Sequence, residues 1–368
     1  MDNGILQILA DLYKLGNPKF IEIVHVGYGS KNAIIADGKI WYFLKQYGLR
    51  RTSERVREIQ SVEQLFFAEA LPVVTALPTR IGDLSFRYKG HVTALFPFVT
   101  GKQYSGRLSI PAAARAGEML ARLHLAGSDH AHIVGRSLTK LDRAKFIQHA
   151  EAILAKIEAV ELKTSYEGLA REFVDFKMRL VQNNSITYDS WHDVDKHILH
   201  GDYHHGNLLF NNQDCLTHIL DFERVVSGPR SADVAIAIFY ICFDIMNLVD
   251  EIDENVSFSL AKVFLESYQG TYPITPEELE RGMRWFMLAN QVYSLWPVTA
   301  HYLHEDTRAD VLLPKRIERC NYLVNNLTNI LGSLKALAHL YVRPPLFSLQ
   351  AQKGKNKSNN LLRGQSDE

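Results

Sequence analysis

The stretch His200-Gly201-Asp202-Tyr203-His204-His205-Gly206-Asn207, followed by Ile219-Leu220-Asp221-Phe222-Glu223, decides the fold. Asp202 and Asn207 stand in a polar loop flanked by apolar runs at 198–199, 208–210 and 217–220. Short apolar runs set among turn residues predict small strands, and a hairpin over 208–220 brings Asn207 and Asp221 together. The three imidazoles of the loop suggest a metal cluster. No further Cys or His stands at a zinc-site spacing, however, so the Asp and Asn are the more informative pair.

Outward from this island, periodicity divides the chain. Residues 111–345 are mainly helical in pattern, with helices predicted at 111–125, 142–159, 166–182, 231–243, 256–268, 277–302 and 313–337. Pro111 sits in the first of these at the turn where a missing N–H costs least. Residues 1–98 read instead as helix 5–15, strands 20–26 and 40–44, helix 51–70 and strands 84–88 and 91–96. Asp37-Gly38 and Lys89-Gly90 supply hairpin turns, so these strands form a small antiparallel sheet. Residues 99–110 form a crossing linker. The end, 346–368, is expected to be disordered, since 350–368 is mainly Gln, Lys, Asn, Ser and Gly.

A chain of 368 residues has room for two packed domains, and 46% hydrophobic with 22% charged residues is ordinary for a globular protein. Lys plus Arg equals 41, as does Asp plus Glu, so no long-range field favours nucleic acid or an anionic membrane. Cys215, Cys242 and Cys320 are too dispersed for a disulfide scaffold, which fits a reducing cytoplasm. The start lacks the basic and apolar segments of a secretory signal. The longest apolar run, 234–243, is half a bilayer span and reads as a buried helix.

Phosphoryl transfer requires a cation at the nucleotide phosphates, oxygen ligands for a divalent ion, and a carboxylate beside the accepting hydroxyl. Lys45 in Tyr42-Phe43-Leu44-Lys45, the Asp202–Asn207 loop and Asp221 offer all three in chain order. His-Gly-Asp with Asn five residues on, then apolar-Asp-aromatic-Glu, resembles the aminoglycoside phosphotransferase and choline kinase superfamily, homoserine-kinase-like branches included. The likeness runs through most of the chain. Gly27-Tyr28-Gly29-Ser30-Lys31-Asn32 resembles the family's nucleotide loop and residues 42–45 its lysine-bearing strand. The resemblance implies an α+β, bilobal protein-kinase-like fold: a small antiparallel β-sheet N-lobe and a larger, mainly helical C-lobe, using ATP and Mg2+.

On this resemblance Asp202 orients and deprotonates the acceptor hydroxyl, while Asn207 and Asp221 hold Mg2+ against the ATP phosphates. Lys45 contacts the α and β phosphates. Glu63, preferred to Glu58 because it precedes Leu65-Phe66-Phe67 and Leu71-Pro72, holds Lys45 through an ion pair. Gly27, Gly29, Ser30 and Asn32 belong to the nucleotide loop, and Phe96 and Phe98 to the hinge whose backbone meets adenine. His200 supports the catalytic loop from beneath, and Asp233 braces it from the start of a buried helix.

Each assignment has a plainer counterpart. Gly27-x-Gly29 alone is a common hairpin feature, and the third glycine of the protein-kinase loop is missing. Asp233 also suits a helix N-terminus on dipole grounds, and residues 94–98 read as a strand ending at Pro97. His124 reads as a core histidine, and Trp285, Phe286, Tyr293, Trp296 and Tyr302 as a core stripe before a cation-binding wall. Asp244, Asp250, Glu251, Asp253 and Glu254 form either a solvated loop or an attractor for a cationic acceptor. The roles of His204, His205 and Glu223 stay open.

His-Arg-Asp and Asp-Phe-Gly are absent, and Glu223 stands in place of that glycine. The expected acceptor is therefore a small-molecule hydroxyl: an amino alcohol, a homoserine-like metabolite, a sugar or an aminoglycoside. The rivals are a protein Ser/Thr kinase of the bacterial stress-response type and a non-catalytic kinase-fold coat protein. Intact Lys45, Asp202, Asn207 and Asp221 disfavour the second.

Overall fold

The computed structural model describes residues 3–24, 30–138, 141–161, 164–183, 195–245 and 253–339. Gly27, Gly29, Asp250, Glu251 and the tail expected at 346–368 lie outside the described residues.

Helix α1 (Gly4–Tyr13) precedes strands β1 (Lys19–Val24), β2 (Lys31–Asp37) and β3 (Ile40–Gln46). Helix α2 (Ser53–Ala68) and strands β4 (Phe86–Tyr88) and β5 (His91–Pro97) follow. The strands make one antiparallel five-stranded sheet in the order β1-β2-β3-β5-β4. Strand β2 is absent from the sequence reading, which joined its first residues to the nucleotide loop. Its apolar Ala33-Ile34-Ile35-Ala36 pairs on both sides, and the expected Asp37-Gly38 turn joins it to β3 with Gly38 at φ +61°.

Alternation in the sheet serves two cores. Ala33, Ile35, Leu44 and Leu95 pack with Ile5 and Leu9 of α1. Val92, Ala94 and Phe96 pack on the other face with Val56, Ile59, Val62 and Phe66 of α2. Lys45 follows Leu44 and sits opposite Ala94, so it faces α2 and the interior of the cleft. Helix α2 begins where the Thr52 hydroxyl accepts the Arg55 N–H at 3.1 Å, satisfying one orphan donor of its first turn.

The second lobe opens with α3 (Ile110–Gly127), capped by Ser109 with Pro111 in its first turn, then α4 (Arg143–Glu158) and α5 (Ser165–Gln182). The island is made of β6 (His197–Leu199), β7 (Leu208–Phe210), β8 (Leu216–Ile219) and β9 (Val226–Gly228). These form two antiparallel pairs, β6 with β9 and β7 with β8, and the sequence reading missed β9. Helices α6 (Arg230–Ala237), α7 (Glu254–Thr271), α8 (Pro276–Phe286), α9 (Trp296–His304) and α10 (Leu313–His339) complete the lobe. A second core joins α4 and α5 to α9 through Phe146, Ile153, Phe173, Leu288 and Val298.

Two expected helices are interrupted. The segment 231–243 passes from α6 into a π turn at Ile238–Cys242, and 277–302 passes from α8 into a π turn at Met287–Val292 before α9 restarts. Pro297 stands in the first turn of α9, where its missing N–H is tolerated and where a continuous helix would break. Phe239 and Phe286 stack between these turns at 4.5 Å, so the aromatic stripe is core at this point.

Helix α3 packs on α7 closely enough that a Cβ at Gly117 would run into the Phe264 backbone carbonyl. Because the obstacle is backbone rather than a flexible side chain, Gly117→Ala should lower stability by about 1–3 kcal/mol, read as an earlier urea midpoint at unchanged slope.

Candidate active site

Asp233, in the first turn of α6 and fully buried, organises the loop after β6. Its carboxylate accepts the His200 N–H at 2.6 Å and the Gly201 N–H at 2.9 Å. Behind it, His124 Nε2 lies 3.4 Å from Asp233, and His124 Nδ1 lies 2.8 Å from the Tyr268 hydroxyl. His124 is thus a satisfied core histidine; burial holds its pKa below the ordinary value, with Asp233 opposing. Gly201 adopts φ +77°, and a Cβ there would strike the Arg224 carbonyl, so this turn requires glycine.

His200 is buried beneath the loop. Its Nε2 faces the Leu220 carbonyl at 3.0 Å, which can only accept, so Nε2 carries the proton and Nδ1 is left to accept the Asp202 N–H at 3.3 Å. One imidazole therefore couples the Asp202 loop to the strand end that carries Asp221. The Asn207 carbonyl accepts the Leu220 N–H at 2.8 Å, placing Asn207 beside Asp221 as the hairpin reading expected. The Asn207 amide also donates to the Asp202 carbonyl at 2.9 Å. Asp221 sits in the left-handed region at φ +64°, which Asp tolerates better than most residues.

Across the cleft, Lys45 Nζ reaches Asp221 Oδ1 at 2.9 Å and Glu223 Oε1 at 2.7 Å. Burial pushes the Lys45 pKa down, and the two carboxylates more than reverse it, so the ammonium is held above its ordinary range. Glu223 also accepts the Ser30 hydroxyl at 2.7 Å and lies 3.6 Å from Arg51. The sequence motif leaves the role of Glu223 open, and the structure places it between the two lobes. The signal was its place two residues after Asp221, on the same short turn.

The expected Glu63–Lys45 ion pair is not formed. No ion pair joins them among the described residues, and Glu63 is buried with Oε2 unpartnered, because Asp221 and Glu223 take the ammonium first. Helix α2 is tied to the Asp221 segment by Arg55 instead, which donates to the Glu223 carbonyl at 3.3 Å and to the Val225 carbonyl. Glu58 pairs with Arg55 at 2.8 Å. At the hinge, the Phe98 N–H is engaged by the Trp41 carbonyl at 3.2 Å, and Phe96 is paired with Phe43 inside the sheet. Asn32 lies opposite Lys45 in β2.

On the other side of the loop, Asp202 Oδ1 accepts from Arg224 at 3.2 Å, and His204 Nε2 lies 3.9 Å from Oδ2. Burial lowers the His204 pKa to about 4, so this imidazole is neutral near pH 7. His205 Nδ1 lies 3.4 Å from the Tyr240 carbonyl in the first π turn. Asp253 caps α7 and Glu254 meets the Tyr322 hydroxyl at 2.9 Å, which accounts for both as structural carboxylates.

Among the described residues no three His, Cys, Asp or Glu side chains converge as an all-protein metal cage, so the histidine-cluster reading is not supported. An amide oxygen from Asn207 and a carboxylate from Asp221 are hard donors. They suit Mg2+, an ion that fills the rest of its shell with phosphate oxygens and water.

A family model described as "Phosphotransferase enzyme family" matches residues 21–262. The chain belongs to that family. It is 25% identical over 281 residues to homoserine kinase of Caulobacter vibrioides, covering 75% of this chain and 80% of that one. Among solved structures it resembles amicoumacin kinase in complex with AMP-PNP, Ca2+ and amicoumacin, with TM-score 0.62, 14% identity, and 88% and 94% of the two chains covered. It also resembles the microcompartment-associated aminopropanol kinase, with TM-score 0.60, 15% identity and coverage of 90% and 99%. The kinase-like α+β fold is shared with these phosphotransferases, and the chain is a kinase acting on hydroxyl acceptors. No helix among the described residues is long and apolar enough to cross a membrane.

Burial raises the Glu63 pKa to about 8, against the pull of Lys45. The folded state then holds this proton where the unfolded chain releases it near the ordinary carboxyl value, so stability falls as pH rises between the two values and levels off above about 8. Glu63→Gln should flatten that slope in nucleotide-free thermal melts from pH 5 to pH 9. An unchanged slope would assign the titration elsewhere.

Proposed function

We propose that this phosphotransferase moves the γ-phosphate of ATP to the hydroxyl of a small molecule. The observation that carries the reading is the meeting of Lys45 with Asp221 across the cleft, on the hairpin whose other end holds Asp202 and Asn207. Asn207 and Asp221 hold Mg2+ in this reading, and the ion neutralises charge that builds on the transferring phosphate. Lys45 engages the inner phosphates, with Glu223 and Ser30 positioning it from the two lobes. The carboxylate of Asp202, on the far side of the loop, orients the acceptor hydroxyl and receives its proton.

Arg224 donates to Asp202 Oδ1 at 3.2 Å, and an arriving acceptor hydroxyl takes over part of this contact. The neutral His204 flanks the same group without competing for its proton. The named relatives act on homoserine, aminopropanol and amicoumacin, so the acceptor expected here is a compact alcohol that carries nitrogen.

Asp202→Asn should reduce transfer from γ-labelled ATP by about 10²–10⁴-fold while Mg-ATP binding stays within about twofold of the unsubstituted protein. Asp221→Ala should weaken Mg-dependent nucleotide binding in calorimetry. Full activity in Asp202→Asn refutes the role of Asp202, and absence of Mg-ATP binding by the unsubstituted protein refutes the kinase reading itself.

A further inference from the structure

Helix α2 has two working faces. Val56, Ile59 and Val62 enter the core beneath the sheet, and Arg55 beside them reaches the carbonyls of Glu223 and Val225. Ser53, Arg57, Gln60 and Ser61 share another face, one helical stripe apart from these. That stripe and the segment 82–87, which runs into β4, enclose a groove of about 440 Å³. The volume lies within the range of small-molecule sites, and none of the residues assigned to the catalytic cleft lines it.

Two guanidinium groups stand on the walls of the groove. Arg87 reaches over from β4, with Nε donating to the Ser53 hydroxyl at 3.1 Å and a terminal nitrogen to the Gly90 carbonyl at 3.5 Å. Arg57 is exposed and makes no hydrogen bond or ion pair among the described residues. Neither cation has a carboxylate partner, and the carboxylate in the wall, Asp83, has no cation. The groove also holds a polar side chain that is almost wholly buried, Gln60, 2% exposed. Its amide nitrogen donates to the Leu84 carbonyl at 3.0 Å, and because a carbonyl can only accept, the amide orientation is fixed. The amide oxygen is thereby left to accept from an occupant of the groove.

A guanidinium presents a planar fork of donors that matches phosphate oxygens, and two of them facing one space select a multiply charged anion. Asp83 and the Gln60 oxygen ask the opposite of the ligand, a hydrogen-bond donor. We propose that this groove is a second ligand site, taking a phosphate monoester whose alcohol part carries a hydroxyl or an ammonium. Arg57 and Arg87 receive the phosphate, and Asp83 and Gln60 receive the donor. The occupant joins α2 to β4, and the same helix holds the Asp221 segment through Arg55, so occupancy steadies the contact between the lobes and slows nucleotide exchange.

The test uses the full chain with its cleft filled by Mg-AMP-PNP, titrated in a calorimeter with phosphoethanolamine, glycerol 3-phosphate, inorganic phosphate and ethanolamine. At least one of the two esters should bind at a single site, about tenfold or more tighter than inorganic phosphate, and ethanolamine should not bind there. Arg57→Ala and Arg87→Ala should each weaken the ester about tenfold or more, as expected for loss of a charge-assisted hydrogen bond. Arg57→Lys should recover part of the affinity. The ester should slow release of a fluorescent ADP about fivefold, within the ordinary range of coupling between sites. Arg57→Ala should remove that slowing while Tm and ester-free turnover stay unchanged, because Arg57 has no partner in the protein to lose.

Absence of ester binding to the filled enzyme overturns the site, and so does binding that survives both Arg57→Ala and Arg87→Ala. Inorganic phosphate binding as tightly as the esters overturns the role of Asp83 and Gln60. Ester binding with unchanged ADP release overturns the link to the cleft. Failure to bind Mg-AMP-PNP refutes the phosphotransferase reading instead, and the same titrations on the nucleotide-free chain then decide the groove.

Discussion

Asp233, shut away from solvent, receives the N–H groups of His200 and Gly201 with its two oxygens and the imidazole of His124 behind them. A carboxylate in such a place is costly to desolvate unless its lone pairs are filled, and here backbone donors fill them. The arrangement couples the start of α6 to the turn after β6, so the catalytic loop cannot shift without stripping a buried carboxylate of its donors. His200 extends the same hold to Leu220, one residue before Asp221. Two chemically different carboxylates, Asp202 and Asp221, are thereby fixed relative to one another by a single buried imidazole.

The cleft is closed by a second set of charges with the opposite logic. Lys45, Asp221, Glu223, Ser30 and Arg51 come from both lobes, and their contacts persist because each cation has a carboxylate within reach. Arg55 adds a clamp from α2 to the backbone of residues 223 and 225. Glu63, left over, stays buried beside this network with its proton held more tightly than usual. Lys45 thus rests on Asp221, one of the two residues proposed to hold the metal, and on Glu223 beside it.

Two π turns shape the helical lobe. The turn at Ile238–Cys242 carries Tyr240 to the catalytic loop, and the turn at Met287–Val292 seats α5 and α10, with Lys177 and Arg319 between them. A π turn widens the helix by one residue and redirects the side chains around it, which is why such turns gather at functional positions.

Some of this was legible in the chain. The alternation of Leu44 and Lys45, the Asp202–Asn207 spacing, the hairpin to Asp221 and the proline at the start of α3 are local signals. They depend on strand period, turn chemistry and helix caps that neighbouring residues specify. The π turns within 231–243 and 277–302 were not legible, since the mostly apolar residues that form them carry no local sign of a widened turn, and β9, a three-residue strand, carries too little pattern to be seen. Nor was the choice of Lys45's partner. Glu63 had the right place on α2, but which carboxylate wins an ammonium is a matter of distance and desolvation across elements far apart in the chain, and Asp221 and Glu223 lie closer. The chain by itself determined the lobes and the chemistry of the loop, because those rest on short-range periodicity and residue type. Only the tertiary structure decided which charges meet, and it set Lys177 among Arg316, Arg319 and Phe173, because electrostatic partnership depends on through-space distance and burial that no local pattern encodes.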